Sequence, residues 1–244
     1  MKNNLNIVSL SKQELLNELD NNSNHNFLFY DHLYKELINR SRNEKQISGT
    51  YKDILKFLIT TFSKLVYRDD QEDIKEIPCW HGNPERVVAR LKQDSLIILP
   101  VASIIRISDS DSNQRRRHDR LIEFDNYFDK TKNRSIRVAS LAPTPTNISY
   151  KLSLWTKYHE DMDQLAEQVK RIFNPHLTLK TKEDRHSPVF LVQESSNIDV
   201  TISDGKDRLI RRSFMLSVET YIPNPKFMIT NSGEIKEFNL DVLL

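Results

Sequence analysis

Ile148-Ser149-Tyr150-Lys151-Leu152-Ser153-Leu154-Trp155-Thr156 runs through Lys157-Tyr158 into His159-Glu160-Asp161-Met162-Asp163-Gln164-Leu165. The first nine residues alternate. Ile148, Tyr150, Leu152 and Leu154 share one side of an extended chain, and Trp155 falls on the other. That period of two predicts a strand with one buried face. From 159 to 173 the period lengthens: Met162, Leu165, Val169 and Ile172 or Phe173 lie on one helical stripe. Pro175 marks the end of the helix. An alternating strand that feeds an amphipathic helix predicts a sheet with helices layered on it.

The flanking sequence repeats the theme. Residues 75–80 read as a short strand, and Asn83-Pro84 opens a helix with Val87, Val88 and Leu91 as its stripe. Residues 96–107 form a β-branched strand. Residues 189–192, 198–202 and 209–222 read as further strands, with a turn at Asp204-Gly205 and Phe214, Leu216 and Val218 on one face of the last. Strand–helix–strand occurring twice predicts an α+β fold: a split βαβ-like, mostly antiparallel sheet with two helices on one face.

Three regions lie outside that pattern. Residues 1–70 read as an N-terminal arm and helical extension. Its asparagine-rich first 26 residues are either an arm or a loose terminus. Ile54, Leu55, Leu58, Ile59 and Phe62 then recur at helical spacing after Ser48-Gly49, and residues 63–67 read as a short strand. Within an expected core of 71–225, residues 108–142 form a polar excursion too long for a hairpin turn, read as a loop. Residues 226–244 read as a C-terminal extension with a small hairpin about Asn231 to Gly233.

Composition narrows the chemistry. The chain has 244 residues, 36 Lys plus Arg against 34 Asp plus Glu, and a net charge of +2. A dedicated nucleic-acid binder shows a clearer basic excess. The four glycines are widely separated, which excludes a Gly-rich phosphate loop and a G-x-S-x-G nucleophile elbow. One cysteine, Cys79, permits no intrachain disulfide and no multi-cysteine zinc site. The first 20 residues lack the apolar core of a signal peptide, and no apolar run approaches the ~20 residues of a membrane span.

Candidate motifs have ordinary readings beside the chemical ones. Asp109-Ser110-Asp111-Ser112-Asn113 begins like a calcium loop, but Gln114 and Arg120 stand where glycine and glutamate belong. Cys79 and His81 lack two further zinc ligands and read as a packed thiol beside a polar edge. The basic run 115–120 is preceded by acidic residues and carries no interleaved aromatics, so it reads as a solvated loop or a protein contact. Acidic residues at 160, 161 and 163 suit the dipole of a helix start without catalysis. Trp155 and Tyr158 flank the strand-to-helix junction as partner anchors, with packing under a neighbouring segment the alternative for Trp155. Arg211 and Arg212 point to opposite faces of a strand, one of them available to a carboxylate. No catalytic constellation, metal set or cofactor fingerprint emerges, so no enzyme, metal or cofactor is expected.

One stretch carries a resemblance. Pro143-Thr144-Pro145, Tyr150 to Tyr158, Asp161-Met162-Asp163-Gln164-Leu165, Glu167-Gln168-Val169 and the ending Phe173-Asn174-Pro175-His176 occur in the order found in tail sheath stabiliser, or tail completion, proteins of contractile-tailed bacteriophages. Weaker similarity reaches from Ile77-Pro78 and Leu99-Pro100 to Leu209-Ile210-Arg211-Arg212-Ser213 and Pro223 to Pro225. The resemblance implies a virion structural protein, not an enzyme. It implies a homo-hexameric ring at the head-proximal end of the tail, assembled in the host cytoplasm. Such a ring caps tube and sheath and meets the tube terminator, the sheath and the neck or connector proteins. DNA passes through it without specific binding, and no membrane is involved. Trp155, Tyr158, Arg211 and Arg212 are then candidate protein-interface residues. The rival reading is a nucleic-acid-binding accessory protein that uses the sheet face and the basic loop.

Overall fold

The computed structural model describes residues 30–45, 47–68, 71–83, 86, 99–116, 121–129, 133–180, 186–199, 209–230 and 235–237. In chain order the helices are α1 (residues 30–43), α2 (Thr50–Phe62) and α3 (His159–Ile172). The strands before α3 are β1 (Val66–Arg68), β2 (Ile74–Glu76), β3 (Cys79–His81), β4 (Val101–Asp111), β5 (Ile122–Asp129), β6 (Arg134–Leu141) and β7 (Thr144–Thr156). Those after it are β8 (Leu177–Lys180), β9 (His186–Asp199), β10 (Leu209–Ile222), β11 (Lys226–Ile229) and β12 (Ile235–Glu237). They divide between two compact units. One comprises Ser48–Arg116 and Pro143–Pro223, the other the three remaining segments.

The first unit is built on a six-stranded sheet in the order β3-β4-β7-β10-β9-β8. All its pairs are antiparallel except β3 with β4. At its centre β7 and β10 pair from Ile210–Thr156 to Ile222–Thr144 without a shift in register. The alternation read in the sequence decides the faces. Ile148, Tyr150, Leu152 and Leu154 lie opposite Val218, Leu216, Phe214 and Arg212, and every one but Arg212 is at most 1% exposed.

Helices α2 and α3 bury their stripes in the same cluster: Ile54, Leu58 and Phe62 from α2, and Met162, Leu165, Ala166 and Val169 from α3. The rings of Phe62 and Phe173 close the helix ends at 6.2 Å between centroids. Full burial of each such side chain is worth about 1.5–3 kcal/mol, so this layer is the main source of the unit's stability.

Two local devices fix the helices. Gly49 caps α2 at φ 70°, a left-handed backbone that a side chain disfavours. A Cβ there would meet nothing within 4 Å. Gly49→Ala is therefore expected to cost about 1 kcal/mol through backbone conformation alone, read from the urea midpoint. The α3 glutamines serve as a partner for the free edge of β1. Val66 N–H donates to Gln168 Oε1 at 3.0 Å and Arg68 N–H to Gln164 Oε1 at 2.9 Å, while Gln168 Nε2 donates back to the Val66 carbonyl at 2.5 Å.

The second unit is a four-stranded antiparallel sheet, β12-β11-β6-β5. Leu33 and Leu37 of α1 pack on the face formed by Ile122, Ala139, Phe227 and Ile235. The Ile122 N–H donates to Tyr30 Oη at 2.9 Å, which pins the start of α1 to β5. On the other face Lys226 donates to Tyr127 Oη and to Asp125. Burial would lower the lysine pKa, but these two hydrogen bonds outweigh it and the net shift is upward.

The mostly antiparallel α+β architecture is the one expected, and the hairpin after Pro223 forms as β11 and β12. Three details differ. First, α2 is part of the principal core and not an appendage to it. Second, residues 108–142 are not one loop. They extend β4 to Asp111 and supply β5 and β6, whose apolar residues are diluted by charged ones and so lack a clear period. Third, β7 and β8 flank α3 but are separated by antiparallel steps through β10 and β9, so they run in opposite directions and form no split βαβ unit. Local periodicity reports element type, whereas strand direction is settled by pairing with strands that come later in the chain. The expected N-terminal arm, most of the 83–91 helix, most of strand 198–202 and the Asp204-Gly205 turn lie outside the described residues.

Candidate interface residues

Trp155 and Arg211 are cross-strand partners on β7 and β10. They lie on the sheet face away from α2 and α3. The Arg211 guanidinium sits 5.6 Å above the indole, close enough for a cation–π contact. Trp155 is 1% exposed and packs with Val101, Trp80, Leu99 and Leu209. It is thus a core residue of its own chain, and the packing alternative holds. Its side chain is not free to anchor a partner, but it supports Arg211 from below.

Arg212 faces the other way, as adjacent strand residues must. Its Nε meets Glu194 Oε1 at 2.7 Å and its Nη1 meets Asp163 Oδ1 at 3.3 Å. Lys170 joins the far side of Glu194 at 2.9 Å. Two cations and two carboxylates from β9, β10 and α3 therefore neutralise one another and tie the helix to the sheet. Glu194 is the shared node. Glu194→Ala is expected to cost about 1–2 kcal/mol by urea denaturation, modest because the groups are partly solvated. A loss of a few tenths would show that the network contributes no more than an ordinary surface pair.

Of the four candidates, Tyr158 is the most open to solvent, at 54% exposure, whereas Arg211 and Arg212 are half-buried. It is the extended residue that precedes α3, at φ −112° and ψ 149°. Its carbonyl accepts from Thr156 Oγ1 at 2.9 Å and from the Met162 N–H at 3.4 Å. Those bonds hold the backbone and leave the ring outward.

The remaining motifs resolve into structural roles. Arg115 donates to the carbonyls of Thr146 and Thr220 and to Asn147 Oδ1, and lies 5.2 Å over the Tyr221 ring. That arginine of the basic run therefore clamps the ends of β7 and β10. Arg116 pairs with Asp111, and residues 117–120 lie outside the described residues. Asp109 accepts from Tyr51 Oη at 3.1 Å. Cys79 is buried, and burial pushes its thiol up to about 12, whereas His81 is exposed. Among the described residues no three His, Cys, Asp or Glu side chains gather into a metal site, and no helix is long and apolar enough to cross a membrane.

Sequence reading missed an apolar set at irregularities of the sheet. The β4–β7 register shifts between Arg106 and Ser108, leaving Ile107 as the extra residue at 52% exposure. The β9–β10 register shifts likewise, with Val192 extra at 66%. Bulges re-aim side chains in this way, and no local residue signal marks them here. Phe124 and Phe128, on one face of the edge strand β5, are also exposed. Their i, i+4 spacing sits in a stretch read as a loop.

A family model described as T4-like virus Myoviridae tail sheath stabiliser matches residues 48–243. The chain belongs to this family. The match takes in the whole of the first unit and the segments of the second that follow residue 116, and it includes the β7–α3 stretch that carries the sequence resemblance. A search of curated proteins returned no match. Membership of the tail sheath stabilisers makes this a structural protein of the contractile tail, with its place in the virion tail.

Proposed function

We propose that the chain forms a ring, hexameric in the form the resemblance implies, at the head-proximal end of the tail. There it caps tube and sheath and joins them to the neck. The observation that carries this reading is the family match over residues 48–243. Ring closure needs two different patches on each copy, one fitting the other on the next. Tyr158 supplies an exposed aromatic on a rigid strand-to-helix junction, and the bulge residues Ile107 and Val192 supply exposed apolar points on the same sheet. Sheath, tube terminator and neck proteins are the proposed partners, and assembly takes place in the host cytoplasm.

The rival nucleic-acid reading has less support. Base stacking needs several exposed aromatics on one surface. The sheet face away from the helices instead carries serine rows, Ser103–Ser153–Ser213–Ser195 and Ser108–Ser149–Ser217; its Trp155 is buried, and the exposed ring at the end of the second row, Phe190, already packs on His176.

Gold-labelled antibody to this chain, viewed by electron microscopy on tails and whole particles, tests the placement. Label at the head–tail joint is expected, and label at the distal end or along the whole sheath would overturn it. Tyr158→Ala should leave the urea midpoint of the isolated protein within about 0.5 kcal/mol of the parent. It should also lower the yield of joined particles. An unchanged yield removes Tyr158 from the interface.

A further inference from the structure

We infer that the groove between the last turns of α2 and α3 is a docking site for an acidic, apolar segment of a protein partner. The groove encloses about 450 Å³, and Phe57, Leu65 and Ile172 supply its apolar walls. Lys64 and Arg171 stand on its rim. Neither cation makes an ion pair among the described residues, although Lys170, next to Arg171, is paired with Glu194. No carboxylate lines the groove.

Charge complementarity decides the occupant. Helix C-termini carry a partial negative charge of roughly −0.5 each, so two helix ends contribute about −1. Lys64 and Arg171 contribute two positive charges, and the groove is left net cationic. An apolar wall alone would accept any hydrophobic side chain, and cations alone would accept any anion. Together they select a segment in which a leucine- or phenylalanine-like side chain lies beside an aspartate or glutamate.

The site is also held in shape before anything binds. Gln168 on its wall is fixed by two hydrogen bonds to the Val66 backbone. The Thr61 hydroxyl is fixed by the Phe57 carbonyl at 2.9 Å. A groove with preset walls loses little conformational freedom on binding.

The inference rests on the chain's place in the virion tail. It is tested by placing a benzophenone amino acid at Thr60, an exposed groove residue, and irradiating particles that carry this variant. Mass spectrometry then reads the cross-linked peptide. The expected adduct joins Thr60's position to a segment of another virion protein with a carboxylate within two residues of a large apolar side chain. Arg171→Glu together with Lys64→Glu should lower the adduct yield at least tenfold while the melting temperature of the free protein stays the same. Cross-linking to a second copy of this chain, to DNA or to a segment without carboxylates overturns the inference. So does an adduct yield indifferent to the charge reversal, or no adduct in particles that contain the chain. Particles that lack the chain altogether would overturn the tail placement, and the inference with it.

Discussion

Trp155→Ala should lower the stability of the first unit by about 3–5 kcal/mol, the range for deleting a fully buried large aromatic. The indole is 1% exposed between Val101, Trp80, Leu99 and Leu209, and it underlies the Arg211 guanidinium. Removal leaves a cavity at the end of the central strand pair and takes away the cation–π contact. A loss of 4 kcal/mol is nearly a thousandfold in the folding equilibrium, enough to deplete the folded protein in cells. Urea unfolding followed by fluorescence measures it, and Trp155→Phe should recover part of the loss. A change below 1 kcal/mol would mean that the site collapses around the gap or that the indole is not enclosed. Any assembly defect of Trp155→Ala is therefore a folding defect, and Tyr158→Ala is the variant that reports on contact.

Alkylation of Cys79 should be suppressed about a thousandfold in the folded protein. Burial raises the thiol from 9.0 to about 12, so at pH 8 the reactive thiolate is scarcer by three powers of ten. Iodoacetamide labelling with and without urea compares the two states. Fast labelling of the native protein would show that β3 detaches readily from β4. The same shift makes stability depend on pH. A thiol whose folded pKa lies above its unfolded one stabilises fully below pH 9, and that stability is lost as the pH rises through about 12. Tyr150, pushed by burial from 10.0 to about 12, acts in the same direction over the upper part of that window. The protein is thus expected to weaken progressively above pH 9, read as a falling urea midpoint.

The parts of this fold legible in the sequence were those with a period. The β7 alternation and the α3 stripe identify their elements and their buried faces residue by residue. What could not be read locally was pairing. Whether β8 runs with or against β7 depends on β9 and β10, which both come later in the chain than either strand. The β5–β6 hairpin was hidden because Glu123, Asp125 and Arg137 interrupt its apolar residues, and burial on one face appears only once α1 covers it. Among the interface candidates, residue type suggested all four and geometry separated them. Trp155 and Tyr158 are three residues apart, yet one closes a core and the other is 54% exposed. Exposed Ile107 and Val192 follow from register shifts, which are a property of two strands and not of one.

The long unshifted pairing of β7 with β10 also gives the molecule a mechanical direction. A pull along these strands loads the whole ladder from Ile210–Thr156 to Ile222–Thr144 in shear, and the bonds must fail together. A pull across them peels the sheet open one bond at a time, at far lower force. Forced rupture is governed by the height of the unfolding barrier and not by equilibrium stability. In a contractile tail, the orientation of this one strand pair to the line of tension would set how much load each copy can carry.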